Sequence, residues 1–368
     1  MNRSIRCAFL SLSIALAACA VQAQPAGALN EDFIYRIKPG DTLSSLATRY
    51  TGKAGNWPAL QQINKIADTL ALPVGLELRI PLSMIPEVKG SAKVVSLTGS
   101  ATLDGQPLSP QAALPEGGVL ATGERSFLTV RLSDGSEITL PPHSIVRLQH
   151  LRRFEHVPLT DTVISVEQGS MESRVAPQGE GVGRFEIRAP VAVTGVRGTR
   201  FRVVADGQGA AQSVLEGNIR VQAHARDQAP AQAITVREGQ AARISAEGRM
   251  LGIQPLLPAP ELGVPQRAAG GWTSSVSAVP GAQAYEVRVS RDAQGMHVIS
   301  AQRFATAQIN FTAPGPGTYY VNVSAIDQTG LAGYEARQTF EGALALLSSD
   351  GLPIGSGTGD LITLQQYY

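Results

Sequence analysis

The chain shows two hydrophobic patterns, a short helical one near its start and an alternating one over most of its length. Leu43, Leu46 and Tyr50 recur at intervals of three or four residues, and this spacing predicts an amphipathic helix. From residue 93 onward, apolar and polar residues alternate in short runs separated by glycines, which is typical of strands and turns. The pattern therefore predicts a multidomain, mainly β protein with a small helical module at its beginning.

The clearest strand signal is a predicted β-hairpin. The run 127–132 alternates, Ser-Asp-Gly-Ser follows at 133–136, and residues 137–140 alternate again, as expected for two strands joined by a tight turn. Further alternating runs follow at 145–148, 162–166 and 185–188. Many short strands with regular turns predict an all-β domain, which we place at residues 93–245.

A strand, a turn and a helix are predicted around Pro39 and Gly40. The alternating run 35–37 comes first, and Pro-Gly favours a turn directly after it. Asp41 or Thr42 can then cap the helix that begins next. This segment is thus a strand–turn–helix unit with one apolar helix face.

A second helix and a closing strand complete the unit. Trp57, Ile63 and Asn64 lie on the second helical stretch, and the alternating run 76–81 ends in Ile-Pro. In this order, the elements resemble the LysM domain over residues 33–81. The resemblance implies a small βααβ fold that binds glycans containing N-acetylglucosamine, as in peptidoglycan and chitin.

The LysM resemblance also implies a glycan-binding groove between two loops. Loop backbone groups can pair with the amide donor and acceptor of each N-acetyl group. The alternative is that these residues only form a turn, a helix cap and part of the core. We expect Leu43, Leu46, Trp57 and Ile63 to be core residues and Asn64 to hold the loop in place. The candidate glycan-binding residues are Gly40, Asp41, Thr42, Leu43, Lys65, Ile66, Leu70, Ala71 and Leu72.

A second resemblance covers the predicted all-β domain at 93–245. Residues 189–203 read Ala-Pro-Val-Ala-Val-Thr-Gly-Val-Arg-Gly-Thr-Arg-Phe-Arg-Val and look like the signature of the FecR domain. That resemblance implies a stacked or solenoid-like β fold in the bacterial envelope. Some FecR proteins transmit a signal from an outer-membrane receptor to a sigma factor through a transmembrane helix and a cytoplasmic segment. The chain shows neither, so we do not expect that transmembrane role.

The C-terminal part resembles a fibronectin type III sandwich at residues 266–342. Tyr285, Val287 and Val289 alternate as one buried sheet face requires, and Tyr319 is placed as in a tyrosine corner. The resemblance implies a β-sandwich. Proline-containing or polar segments at 86–92 and 246–265 are interpreted as linkers, and the tail 343–368 is left unassigned.

The N-terminus has the features of a secretory signal. Two arginines precede the apolar run 8–18, which is too short to span a bilayer as a mature helix. Cleavage after Ala23 would remove a signal peptide at 1–23, whereas the lipobox-like Leu-Ala-Ala-Cys would make Cys19 a lipidation site. Both alternatives place the protein in the bacterial envelope, in the periplasm or anchored to the outer membrane.

Composition and spacing argue against several classes of function. The formal net charge is +1, which gives no broad attraction to nucleic acid or to an anionic membrane. The only cysteines are Cys7 and Cys19, so the mature chain is expected to have no internal disulfide. The five histidines lack metal-binding spacing, and 195–199 lacks the Lys of a phosphate loop. Asp134 and Glu137 flank a turn, where we expect them to be solvated.

The sequence predicts a noncatalytic envelope protein without cofactors. The LysM segment would bind peptidoglycan glycan strands, while the β domains act as a scaffold or as a surface for an envelope protein partner. Contact with a membrane would occur only through an N-terminal lipid. Two other classes stay open: an envelope sensor or regulator related to FecR signalling, and a cell-wall hydrolase with a site that uses no cysteine.

Overall fold

A computed structural model describes residues 27–29, 32–155, 157, 159–176, 184–196, 198–224, 233–268 and 271–342. The predicted signal segment with Cys19, and the tail 343–368, lie outside the described residues. The described part is mainly β, as the sequence predicts, with a small helical module at its N-terminal end. No helix within these ranges is long and apolar enough to cross a membrane.

In its described residues, the N-terminal module has a three-stranded antiparallel sheet, two short α-helices and two single-turn 3-10 helices. Thr42 begins the first helix, because its Oγ1 accepts a hydrogen bond from Ser45 N at 3.1 Å while Ser45 Oγ accepts one from Thr42 N. Gly52 ends this helix with a φ of +69°, which glycine adopts without strain. The elements are β1 (Gly27–Leu29), β2 (Asp32–Arg36), α1 (Leu43–Thr51), α2 (Trp57–Asn64) and β3 (Glu77–Pro81).

Among the described residues, the central β domain has eighteen strands in one hydrogen-bonded system. Consecutive strands mostly pair as antiparallel hairpins, and the predicted hairpin at 127–140 is confirmed by Leu132 N donating to Ser136 O at 2.8 Å. The strands are β4 (Glu87–Lys89), β5 (Ala92–Thr98), β6 (Ala101–Leu103), β7 (Gln106–Pro107), β8 (Ala113–Leu114), β9 (Val119–Thr122), β10 (Phe127–Leu132), β11 (Glu137–Leu140), β12 (Ile145–Phe154), β13 (Thr160–Arg174), β14 (Arg184–Ala189), β15 (Ala192–Val196), β16 (Arg200–Asp206), β17 (Gly209–Glu216), β18 (Asn218–Ala223), β19 (Ile234–Arg237), β20 (Gln240–Ser245) and β21 (Met250–Pro255).

Strand β13 connects the two faces of this domain. Its first half pairs with β12 and, in parallel, with β14. Its second half pairs with β11 and β16. Side chains from both groups of strands, including Leu148, Ile164, Phe201 and Val221, form one buried apolar cluster. The core of the domain therefore lies between two sheets that share β13.

Both segments interpreted as linkers contain strands of this domain. The segment 86–92 contains β4, in which Lys89 lies opposite Arg152 of β12. The segment 246–265 contains β21, which pairs with β20. The linker interpretation is wrong for residues 87–89 and 250–255, because their backbones pair with β12 and β20.

The C-terminal module is a two-layer sandwich. One sheet has the order β22-β23-β26 and the other has the order β25-β24-β27-β28. Trp272, Tyr285, Tyr319 and Phe340 lie in the shared core. The predicted sandwich is present, while the fibronectin type III likeness stays a prediction. The strands are β22 (Gln266–Ala268), β23 (Gly271–Ser275), β24 (Ala284–Ser290), β25 (Val298–Phe304), β26 (Gln308–Phe311), β27 (Gly317–Ile326) and β28 (Ala332–Gly342).

The N-terminal module packs directly against the central domain. Phe154 at the end of β12, with Val157 and Leu159 from the connection between β12 and β13, belongs to the same buried cluster as the core of the N-terminal module. Ile85 adds a further buried side chain at this junction. The core of the module is thus completed by a part of the chain that follows it by about seventy residues.

The sandwich packs on the other side of the central domain. Thr129 and Thr139 of neighbouring strands both donate through Oγ1 to Met296 O, at 2.8 Å and 2.9 Å. Farther along the interface, Thr98 Oγ1 of β5 donates to Val298 O of β25 at 3.2 Å. Buried ion pairs join the same two modules. The central domain therefore contacts both the N-terminal module and the sandwich.

Candidate functional site

The two loops predicted to form a groove run side by side. Ile37 N donates to Leu76 O at 2.9 Å, and Gly75 N donates to Ile37 O at 2.8 Å. These bonds extend the pairing of β2 with β3 into the loops beyond both strands. The loop that precedes α1 is therefore held next to the loop that follows α2.

Asp41 organises the first loop from within. Its Oδ2 accepts hydrogen bonds from Lys38 N and from Tyr35 Oη, both at 2.8 Å, and Arg49 Nη1 lies 3.6 Å from Oδ1. Burial and the hydrogen bond to Asp41 raise the pKa of Tyr35 to about 12, so the hydroxyl stays a donor at neutral pH. The carboxylate of Asp41 is already engaged by the protein.

Only part of the first loop is open to a ligand. Gly40 is exposed, has a φ of +86° and would have no heavy atom within 4 Å of an added Cβ. Thr42 is exposed as well, although its side-chain oxygen caps α1. Leu43 is buried in the core, as expected for the structural alternative. Of the residues predicted here, Gly40 and Thr42 are the ones on the surface.

The second loop presents a mixed surface. Lys65 is exposed at the end of α2 in the left-handed region, with a φ of +52°, while Ile66 is buried. Leu70 is 97% exposed at a turn where its N–H donates to Asp68 Oδ1 at 2.8 Å. Ala71 is exposed as well. Leu72 is half-buried and packs against the module core.

Two of the four residues predicted to be core are on the surface. Leu43 and Leu46 are buried, but Trp57 is 37% exposed and Ile63 is 42% exposed. The core prediction is wrong for Trp57 and Ile63 because α2 is only eight residues long and Leu60 is its one buried side chain among the described residues. Helical spacing therefore overestimated the apolar stripe of this helix.

Val74 and Leu76 are surface residues of the second loop that the sequence reasoning missed. Val74 is 64% exposed and Leu76 is 38% exposed. They flank Gly75, whose N–H bonds to the first loop. We call these two residues and Leu70, the exposed apolar side chains of the second loop, the loop apolar surface. The available signal was Val74, an apolar residue between Pro73 and Gly75 in the segment that joins the second predicted helix to the closing strand, whereas Leu76 was assigned to that strand.

Asn64 connects the second helix to the closing strand. Its Nδ2 donates to Arg79 O at 2.8 Å, and its Oδ1 accepts from Arg79 N at 2.7 Å. This pair of bonds resembles one rung of a sheet ladder. Asn64 thereby fixes both ends of the second loop, in agreement with a supporting role.

The alternative catalytic and metal candidates lie elsewhere and are engaged by the fold. The expectation that Glu137 is solvated is wrong, because Arg131 donates to its Oε1 through Nε and Nη2 at 2.8 Å and 2.6 Å. Asp134 Oδ1 accepts from Ser136 N at 2.9 Å. Arg200 of the FecR-like signature pairs with Glu172. The described residues contain no cluster of three or more His, Cys, Asp or Glu that could hold a metal ion.

Comparisons with known proteins find both of the families that the sequence resembles in this part of the chain. The LysM domain family matches residues 35–81, and the FecR protein family matches residues 118–220. Two crystal structures of a proposed anti-sigma factor from Parabacteroides distasonis, at 2.50 Å and 1.65 Å resolution, are each 18% identical with a TM-score of 0.30. Each alignment covers 37% of this chain and 59% of that chain. No curated protein gives a significant match.

Proposed function

From a chain that carries a LysM domain and a FecR domain, we propose a noncatalytic protein of the bacterial envelope that binds peptidoglycan glycan strands. The observation that carries the proposal is the pair of adjoining loops in the LysM domain, on which Leu70, Val74 and Leu76 are 97%, 64% and 38% exposed. Both matched domain families are noncatalytic. The protein is accordingly proposed to hold the wall polymer rather than to cleave it.

The chemistry of the two loops suits a sugar ligand. Backbone N–H and C=O groups near Gly40 can pair with the acetamido groups of N-acetylglucosamine, and no side chain at Gly40 blocks their approach. The loop apolar surface of Leu70, Val74 and Leu76 can pack against the apolar face of a pyranose ring. Lys65 would contribute a polar contact at the rim. Asp41 and Leu43 would support the loop from inside.

The β domains are proposed to present the LysM domain from a fixed position. Phe154, Val157 and Leu159 fill the junction, so the LysM domain does not hang from a flexible linker. Export by a signal peptide, with either cleavage after Ala23 or lipidation of Cys19, would deliver the protein to the periplasm or to the outer membrane. In either place the loops would meet peptidoglycan.

An envelope regulatory role is a second candidate, favoured by the FecR match at 118–220. In that case the central domain would bind an envelope protein, and glycan binding would localise the complex. Deletion of the gene would then change the transcription of envelope genes. An unchanged transcript profile would leave glycan binding as the sole function proposed.

Cosedimentation with purified peptidoglycan tests the main proposal. Removing the whole LysM domain would expose the buried side chain of Phe154 and its neighbours and could disturb the central domain. Point variants therefore give a more specific test. We expect Leu70→Asp to weaken binding about tenfold, since it places a charge on the loop apolar surface. Leu251→Asp is the matched control, because Leu251 is also an exposed leucine, at 58%, but lies on β21 of the central domain.

The two variants separate the outcomes. If Leu251→Asp still sediments with peptidoglycan and Leu70→Asp does not, the result supports the LysM loops as the binding surface. Equal binding of both variants would refute the loop assignment, and failure of the unmodified protein to sediment would refute glycan binding itself. A zymogram with the same protein tests the hydrolase alternative, since clearing of peptidoglycan would contradict a noncatalytic role.

A further inference from the structure

The sandwich has two outer sheet faces, and the central domain covers the face of the sheet β25-β24-β27-β28. The contact includes what we call the buried cluster, in which two carboxylates each pair with the same three guanidinium groups. Its members are Glu172, Arg200 and Arg202 of the central domain and Arg288 and Glu335 of the sandwich, all at most 12% exposed. Glu286 lies 3.9 Å from Arg288 Nε as a third carboxylate. The opposite sheet, β22-β23-β26, turns its outer face away from this contact.

Among the described residues, no charged side chain points outward from the sheet β22-β23-β26. Trp272, Ile309 and Phe311 point into the core, so their neighbours along each strand point outward. Arg267 lies opposite Trp272 in the pairing, and its guanidinium carbon is 5.7 Å from the centre of the Trp272 ring system. It therefore belongs to the core side of β22. The outward-facing residues are Gln266, Ala268, Thr273, Ser275, Gln308 and Asn310.

A groove of about 730 Å³ runs across this outer face. Residues 263–266 form one side of it, and β23 and β26 contribute Thr273, Ser275 and Gln308. Val264 lines the groove as well and is 73% exposed. Every residue of the lining is uncharged. The volume falls within the range of ligand-binding clefts.

Three side-chain amides on this face, of Gln266, Gln308 and Asn310, have no hydrogen-bond partner among the described residues. Each amide offers two N–H donors and one carbonyl acceptor. The hydroxyls of Thr273 and Ser274, by contrast, are fixed, because they donate to Ile309 O at 3.0 Å and to Gly263 O at 2.6 Å. The groove therefore has free amide groups on a fixed hydroxyl and backbone framework.

A surface of this composition suits an uncharged polar ligand. A charged side chain is desolvated at high cost when a neutral ligand covers it, whereas amides exchange water for ligand hydroxyl and acetamido groups at little net cost. Val264 can pack against the apolar face of a pyranose ring. The sheet beneath is rigid, since the rings of Trp272 and Phe311 each lie 5.0 Å from that of Phe340. The face is therefore formed before a ligand arrives.

We propose that the outer face of the sheet β22-β23-β26 is a second site for N-acetylated glycan strands, with the strand lying in the groove between Val264 and Gln308. The inference rests on the glycan binding proposed for the LysM loops, because both sites would bind the same polymer. Two sites on one chain raise the apparent affinity for a polyvalent wall, since binding at the first raises the effective concentration at the second. The sandwich would thus add to wall binding by the full chain.

Cosedimentation of the full mature chain with two insoluble polymers tests the second site. Peptidoglycan carries stem peptides, and chitin has the same acetamido sugars without peptides. We expect Gln266→Glu combined with Gln308→Glu to weaken binding to both polymers about tenfold, because it keeps the side-chain shapes and places two charges on the face. Gln294→Glu combined with Gln302→Glu is the matched control, since it adds the same charge to exposed glutamines elsewhere on the sandwich and should leave binding unchanged.

The outcomes separate the second site from the LysM site. Equal binding by the two double variants, while Leu70→Asp binds more weakly, would refute the second site and leave the LysM site standing. Failure of the unmodified chain to sediment with either polymer would refute both sites. A loss on peptidoglycan but not on chitin would assign the face to a part of the wall that chitin lacks, such as the stem peptide. A dimer in sedimentation velocity that only Gln266→Glu/Gln308→Glu dissociates would assign the face to a second copy of the chain, and either result would overturn the glycan assignment.

Discussion

Removing the charge of Glu172 tests whether the buried cluster holds the sandwich on the central domain. Glu172 is 4% exposed and interacts with three arginines from two modules. Glu172→Gln preserves the shape of the side chain but leaves Arg200, Arg202 and Arg288 with Glu335, and with Glu286 at 3.9 Å from Arg288 Nε. Breaking a buried ion pair from one side costs about 3–5 kcal/mol, because the remaining charge stays buried without compensation. We expect a loss of free energy of unfolding in this range.

Glu167→Gln provides the matched control. Glu167 also pairs with an arginine, Arg147, at 2.9 Å, but the two side chains are 39% and 43% exposed. Exposed ion pairs contribute less than about 1 kcal/mol, since water and salt screen both charges. The two substitutions are chemically identical and occur on the same strand, β13. Their difference therefore isolates the effect of burial and of the cluster.

Equilibrium unfolding in urea, followed by tryptophan fluorescence, measures both variants. The chain has two tryptophans, and Trp57→Phe leaves buried Trp272 of the sandwich as the reporter. We expect the midpoint for Glu172→Gln to fall well below that for Glu167→Gln in this background. Equal losses, or a loss below about 1 kcal/mol for Glu172→Gln, would refute the view that the cluster stabilises the interface.

Other predictions concern pH, the domain junction and the first helix. Because the pKa of Glu172 is depressed, its carboxylate contributes fully to the free energy of unfolding above the unfolded-state pKa of about 4.3, and this contribution is lost as pH falls toward the folded-state pKa. Glu172→Gln should therefore flatten the acid limb of a stability–pH profile. Phe154→Ala should cost about 3–5 kcal/mol of LysM stability, measured by Trp57 fluorescence in a Trp272→Phe background, because it opens a cavity in the shared core. Thr42→Ala should cost about 1 kcal/mol in the same assay by removing the helix cap, and Thr42→Ser should restore it.

The junction between the LysM domain and the central domain has a consequence for the proposed glycan binding. A LysM domain on a flexible tether samples many orientations, and each binding event then orders the tether. Here Phe154, Val157 and Leu159 pack into the domain core. Glycan bound at the loops would therefore have a defined position relative to the FecR domain, and an envelope partner of that domain would be held near the wall.

Local features of the structure were predictable from the sequence. The hairpin at 127–140, the cap of α1 and the buried positions Leu43 and Leu46 follow from interactions within a few residues. Hydrogen-bonding geometry and side-chain periodicity act over such distances, so neighbouring residues determine them. The LysM and FecR resemblances rest on patterns of the same short range, and the family matches agree with them.

The tertiary structure decided everything that depends on which surfaces meet. Trp57 lies on the surface although its spacing suggested a core position, because α2 buries little more than Leu60. Glu172 and Glu335 share three arginines although they are far apart in the chain, and Phe154 completes the core of a domain that precedes it. Periodicity shows which apolar or charged side chains share one face of a helix or strand. It does not state which distant segment covers that face, and burial and pairing depend on that segment.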